Sequence, residues 1–147
     1  MSISVRLKFW FFDHYWWLLV VAIAGTVATV VGALLSVAYF LQKQKLDELR
    51  LFREIFKECN ARYNDMNDAL AKIAQKPPGA LTKSDRAKVI DYLNLCGEEY
   101  LYFKRGYIEP SVWQAWHNGM KVVVSAPAIA EVWESEKSTS SYYELPL

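Results

Sequence analysis

From Leu18 to Leu41 the chain reads LLVVAIAGTVATVVGALLSVAYFL, 24 residues without a formally charged side chain. A backbone that leaves water must bond its own N–H and C=O groups, and a helix does so within one segment. At about 1.5 Å per residue the run makes about 36 Å of helix, enough to cross a bilayer with some tilt. A cleaved leader has a shorter apolar core and a small-residue site before polar sequence, whereas this run ends in AYFLQKQK, so residues 18–41 are expected to be a retained transmembrane helix. Phe9, Trp10, Phe11, Phe12, Tyr15, Trp16 and Trp17 crowd one end and Tyr39 and Phe40 the other, as rings do at the headgroup layer. Lys43, Lys45, Arg50, Arg53 and Lys57 follow the span, against Arg6 and Lys8 before it. The positive-inside bias then places residues 1–17 outside and the C-terminal part in the cytoplasm.

Small residues recur inside the span as Ala22, Gly25, Thr29, Gly32 and Ser36. Steps of three and four make a seam along which two backbones can approach closely, because lipid supplies no hydrophobic drive for pairing. Membrane helices are also rich in such residues without pairing, so a self-association seam stands beside a compositional coincidence.

Between Gln42 and Gln75 there is no Pro or Gly, and Leu49, Phe52, Phe56, Cys59, Tyr63, Met66, Leu70 and Ile73 repeat by three and four. This pattern predicts an amphipathic helix over 42–75 that continues the membrane helix, together a rod of about 60 residues and about 90 Å. The membrane seam carried forward reaches Tyr39, Lys43 and Leu46, and Leu49 comes three residues later where four are due, a stammer that overwinds a coiled coil. Equally, Leu49 to Ile73 packs on its own domain with a bend near Gln42. Pro77-Pro78-Gly79 ends the helix. Thr82 and Ser84 are then candidate N-caps, Asp85 making an imperfect capping box with Thr82, for a helix from about Lys83 to Arg105 that stops at Gly106. Its apolar face is Val89, Ile90, Leu93, Cys96, Tyr100, Leu101 and Phe103. Pro110 opens a helix bearing Trp113, Trp116, His117, Met120 and Val124, and Pro127 a last one with Ile129 and Trp133. The expected fold is all-α: a helical-bundle domain over 80–137 with the 42–75 helix as connector and first member, and a tail over 138–147.

The whole chain has 17 basic and 16 acidic residues. Setting aside Arg6, Lys8 and Asp13 leaves the cytoplasmic part neutral, with 15 of each. A neutral domain lacks the basic stripe that grips a long nucleic acid, though two or three residues can still hold a small anion. Cys59 and Cys96 fit neither a zinc site nor a disulfide framework and read as small buried groups. No phosphate loop, nucleophile elbow or metal-ligand spacing is present, so no catalytic residue, metal or cofactor is expected. Glu98 and Glu99 point about 100° apart on a helix and are poorly placed to share a proton. They read as one solvated carboxylate and one partner in a buried salt bridge.

The block YLYFKRGYIEPSVWQAWHNGMK, Tyr100 to Lys121, interleaves rings and cations. Tyr102, Trp113, Trp116 and His117 are candidates to stack on nucleobases, Lys104, Arg105 and Lys121 to meet phosphates, and Asn118 to read a base edge. A packed core explains Trp113 and Trp116 at least as well, and Lys104 and Arg105 suit a helix C-terminus without a ligand.

The segment DYLNLCGEEYLYFKRGYIEPSVWQAWHNGM, with Trp133 and Ser141-Tyr142-Tyr143, resembles a pattern in small uncharacterised bacterial proteins with one N-terminal membrane helix. The layout is similar to that of the membrane-anchored effectors accompanying type III CRISPR systems. That resemblance implies a homotetramer at the bacterial inner membrane whose cytoplasmic domain binds cyclic tetra-adenylate and disturbs the membrane in antiviral defence. It rests on size and architecture and carries over no ligand residue. One set of contacts repeated by symmetry suits a cyclic oligonucleotide. The competing expectation is a membrane-tethered scaffold for another protein.

Overall fold

The computed structural model describes residues 3–147, with side chains at Lys8, Trp10 and from His14 onward. The side chains of Arg6, Phe9, Phe11, Phe12 and Asp13 lie outside this set. The described residues form four α-helices and a 3-10 turn: α1 (Ile3–Ala74), α2 (Lys83–Lys104), α3 (Pro110–Val124), α4 (Pro127–Glu136) and the turn Lys137–Thr139. The fold is all-helical, with no strand among the described residues. The chain divides into two compact units, Met1–Asp47 and Glu48–Leu147, and α1 contributes to both.

In the first unit α1 contains a segment long and apolar enough to cross a membrane. Apart from half-buried Leu19, residues 18–41 are exposed. The hydroxyls within it bond back along the helix: Thr26 to the Ala22 carbonyl, Thr29 to that of Gly25 and Ser36 to that of Gly32, each at 2.8 Å. Such bonds hide hydroxyls that an apolar medium would otherwise leave unpaired.

In the second unit α2 is the central helix. Val89, Tyr92, Leu93, Leu95, Cys96, Gly97 and Glu99 are all buried. At about 100° per residue, positions 92 to 99 of that set cover an arc of roughly 200°. The end of α1 packs through Ile55, Cys59, Met66, Leu70 and Ile73. This face begins later than the heptad stripe suggests: Leu49 is 53 % exposed and Phe56 40 %, with Ile55 taking the inward position. α3 supplies Trp113, Met120 and Val124, and α4 supplies Ala128, Ile129, Val132 and Trp133. The segment after Lys137 belongs to the core as well. Tyr142 and Leu145 are buried, and the Trp133 and Tyr142 rings meet edge-on at 5.6 Å. Gly97 lies against this segment: a Cβ there would stand in ordinary van der Waals contact with the Tyr142 ring, at 3.5 Å.

Each helix end follows from local chemistry. The Thr82 hydroxyl accepts from the Asp85 N–H at 3.1 Å, and Asp85 accepts from the Thr82 N–H at 2.8 Å, a capping box with Asp in place of Glu. Lys76 adds an ion pair to Asp85 at 2.6 Å. The Lys76 bond and those of Thr82 hold the Asp85 carboxyl down at about 2. At the other end of α2 the Gly106 N–H donates to the Phe103 carbonyl and the Tyr107 N–H to that of Tyr102, with Gly106 at φ 76°. That is a Schellman turn, in a conformation glycine adopts without strain. The Pro-Pro-Gly loop is tied to α4 by the Gly79 N–H donating to Glu131 at 2.7 Å.

Thr82→Ala is expected to lower stability by about 1 kcal/mol, read as a fall in the thermal midpoint of the detergent-solubilised chain. Because Asp85 is held below its unfolded value, its contribution is full above about pH 4 and is lost as pH falls towards 2. Asp85→Asn should therefore flatten the acid limb of the stability curve, and an unchanged limb would remove Asp85 from the cap.

Candidate functional site

The interleaved block folds onto the α2–α3 corner. Trp113 is buried and stacks with Phe103 (ring centroids 5.1 Å, 11° between planes) and with His117 (5.1 Å, 12°), and the Tyr100 ring lies tilted at 5.2 Å. His117 Nε2 donates to the Pro146 carbonyl at 2.7 Å, fastening the C-terminal segment. Trp116, half-buried, stacks on Phe56 of α1 at 5.6 Å. Tyr102 is half-buried; burial, then the nearby Glu98 carboxylate, push its hydroxyl upward. Asn118 is exposed and accepts from Gln114 at 3.0 Å. The Lys104 ammonium sits 5.4 Å from the Tyr100 ring centre and 3.8 Å from the Glu144 carboxylate. Arg105 is the exposed C-cap of α2, and Lys121 is exposed on the last turn of α3. The structure thus brings Trp113 and His117 into one stack and gives Trp116 a separate partner. Lys104, Arg105, Asn118 and Lys121 stand on the exposed surface.

The seam residues Ala22, Gly25, Thr29, Gly32 and Ser36 are all exposed, and a Cβ at Gly25 or Gly32 would meet no atom within 4 Å.

Two concavities lie in the second unit. The larger, about 470 Å³, runs between α1, α2 and the C-terminal segment, lined among others by Arg62, Asp65, Asp91, Asn94 and Glu98. The Arg62 guanidinium engages Glu98 with both nitrogens, at 2.5 and 3.2 Å. Three carboxylates against one guanidinium make this lining acidic and unsuited to phosphate.

The smaller cavity, about 170 Å³, lies between α1, α2 and α3. Its wall carries Asn60, Tyr63, Tyr92, Glu99, Trp116 and Gly119. Glu99 is 7 % exposed and, among the described residues, makes no hydrogen bond or ion pair. Burial is the main influence on it and, with Glu98 adding to the rise and Arg62 opposing it, leaves the carboxyl at about 8. The sequence reading of these neighbours, one solvated carboxylate and one in a buried salt bridge, is thereby corrected. The ion-paired member is the part-exposed Glu98, and the buried member is unpaired, because Arg62 faces the larger groove. The same burial pushes the Cys59 thiol up to about 12, with Glu99 adding to it. Cys59 and Cys96 are both free and buried. Sequence reasoning missed Glu99 as a cavity residue, although its spacing from Tyr92 and Cys96, by seven and three, already marks one face.

Comparison with protein-family models, curated proteins and solved structures finds no match to this chain.

The Glu99 carboxyl, neutral in the fold up to about pH 8 and ionised in the unfolded chain above about 4.3, should make stability fall as pH rises between those values. Glu99→Gln removes that dependence. Its thermal midpoint should exceed the parent's at pH 8.5 and converge with it near pH 4.5. A variant less stable than the parent at pH 8.5 would show that the carboxylate is paired rather than isolated.

Proposed function

We propose that the chain is a single-pass membrane protein in which α1 crosses the bacterial inner membrane over residues 18–41 and the second unit acts in the cytoplasm as a ligand sensor without catalysis. The observation that best supports this is the exposure of that apolar run among the described residues. An uncovered apolar helix of this length is soluble only in lipid or against other copies. The open faces of Gly25 and Gly32 support self-association along the small-residue seam. In this reading a cyclic oligoadenylate messenger binds a homo-oligomer, a tetramer by the similarity of layout, and rearranges the spans to permeabilise the membrane in antiviral defence. Lys104, Arg105 and Lys121, exposed at helix C-termini, are the cations available to such an anion.

The alternative, a tethered scaffold for a protein partner, draws support from the stacking of Trp113 on Phe103 and His117 within the fold, which leaves those rings committed to the core. A thermal-shift screen of the full chain in detergent with cyclic oligoadenylates separates the two. A ligand at 100 times its Kd stabilises a sensor by about 2.7 kcal/mol, whereas a scaffold does not respond. In the sensor, Lys104→Ala or Arg105→Ala should weaken that ligand about tenfold.

Two further outcomes test the membrane half. A reporter fused after Leu147 should show cytoplasmic activity, and periplasmic activity would reverse the orientation. Replacing Gly25 and Gly32 together by Leu should reduce crosslinking between copies in the membrane without loss of insertion; equal crosslinking would mean that the seam plays no part in assembly.

A further inference from the structure

The smaller cavity combines features that point to a ligand of their own. Its lining includes Glu99, 7 % exposed and without a hydrogen bond or ion pair among the described residues, and the rings of Tyr63, Tyr92 and Trp116. The Tyr63 and Tyr92 rings stand 6.1 Å apart and tilted by 48°, and Trp116 is held in place by stacking on Phe56. Asn60 spends its amide N–H on the Phe56 carbonyl at 2.6 Å. The cavity therefore offers three aromatic rings and one carboxylate, with the Asn60 amide oxygen and the two tyrosine hydroxyls as its neutral acceptors. A methylated ammonium needs none of those acceptors. It gains from the negative faces of the rings and from an opposite charge in a site with little water. We infer that this cavity is a binding site for a small methylated ammonium group, held by the Glu99 carboxylate and the rings of Tyr63, Tyr92 and Trp116. Its volume suits such a head group with a few carbons and excludes a nucleotide. The site is separate from the nucleotide reading above and stands or fails without it.

Binding a cation next to Glu99 draws the carboxyl into its ionised form and releases a proton. The charged and titratable groups around Glu99 are Cys59, Arg62 and Tyr63 from α1 and Tyr92, Cys96 and Glu98 from α2, while α3 lines the cavity with Ala115, Trp116, Gly119 and Met120, which do not titrate. Tyr92 and both thiols are pushed upward and stay neutral below pH 9. Glu99, raised to about 8, is then the group whose titration binding reports.

The test is a calorimetric titration of the full chain in maltoside detergent with choline and tetramethylammonium, using 3,3-dimethylbutan-1-ol as the uncharged counterpart of choline. The expected result is saturable binding of both cations, with the alcohol at least about tenfold weaker. Affinity should be at least about tenfold higher at pH 8.5 than at pH 6.5, with proton release. Glu99→Gln should weaken choline about tenfold or more. A Cβ at Gly119 meets no atom within 4 Å, so Gly119→Leu fills the mouth from a helix that tolerates it and should abolish binding with the thermal midpoint retained. Vesicles of phosphatidylcholine against phosphatidylglycerol then distinguish the source. Suppression of choline binding only in the former identifies a lipid head group, and equal binding in both a free ligand. Equal affinity for the alcohol, affinity independent of pH, or no binding of either cation would overturn the assignment.

Discussion

The second unit depends on burying α2 along both of its flanks and its front. A helix covered over roughly 200° of arc cannot confine apolar residues to one stripe, so its sequence loses the amphipathic signature of a surface helix. It also has to admit close neighbours. Gly97 lies where the chain after Lys137 packs on the helix, with the Tyr142 and Tyr143 side chains at contact distance from its Cβ position. The uncovered sector, Asp91, Asn94 and Glu98, is the one that faces the acidic groove. Glu98 and Glu99 fall on opposite sides of that boundary, which is why adjacent carboxyls differ so much. One is at the groove with a guanidinium, and the other is inside with rings.

Much of the helix plan was legible in the sequence because it is written in local chemistry. Pro77-Pro78-Gly79, Thr82 with Asp85, Gly106, Pro110 and Pro127 act within a few residues of themselves, and the structure places helix ends at each of them. The inward face of α1 was less legible. Leu49 and Phe56 keep heptad phase with Cys59, yet inward packing starts only at Ile55, since the length of contact depends on where α2 and α3 lie rather than on α1. The α2 face was legible at Val89, Leu93 and Cys96 and missed at Tyr92, Leu95 and Glu99, which meet α1 and α3, and at Gly97, which meets the segment after Lys137. The 138–147 segment reads as a tail from its Ser/Thr run. Its attachment depends on two distant partners, Gly97 and His117, that no periodicity reveals.

The candidate site was legible as a composition and not as an arrangement. Rings interleaved with cations read alike whether they await a ligand or pack on one another, and the choice is made by elements far apart in sequence. Phe56 claims Trp116, Phe103 and His117 claim Trp113, and Pro146 claims the free side of His117. Glu99 carries no sequence motif at all. Its significance comes from lacking a partner, which is visible only once every neighbour has been placed.

The wealth of aromatic residues in this block has a cause independent of ligands. A helical unit of about 100 residues buries a smaller fraction of its surface than a larger domain, so each core position must contribute more apolar area. Trp, Tyr and Phe contribute the most per residue and lose little side-chain entropy in doing so. Large rigid rings do not tile three crossing helices without gaps, however, because they cannot flex into irregular space as Met and Leu do. A small cavity walled by rings is the expected by-product of such a core, and most such cavities would be lined by apolar atoms alone. This one differs in placing an ionisable, unpartnered carboxyl in its lining. Packing gains nothing from that choice, since a neutral residue of similar size would fill the position without a desolvation cost.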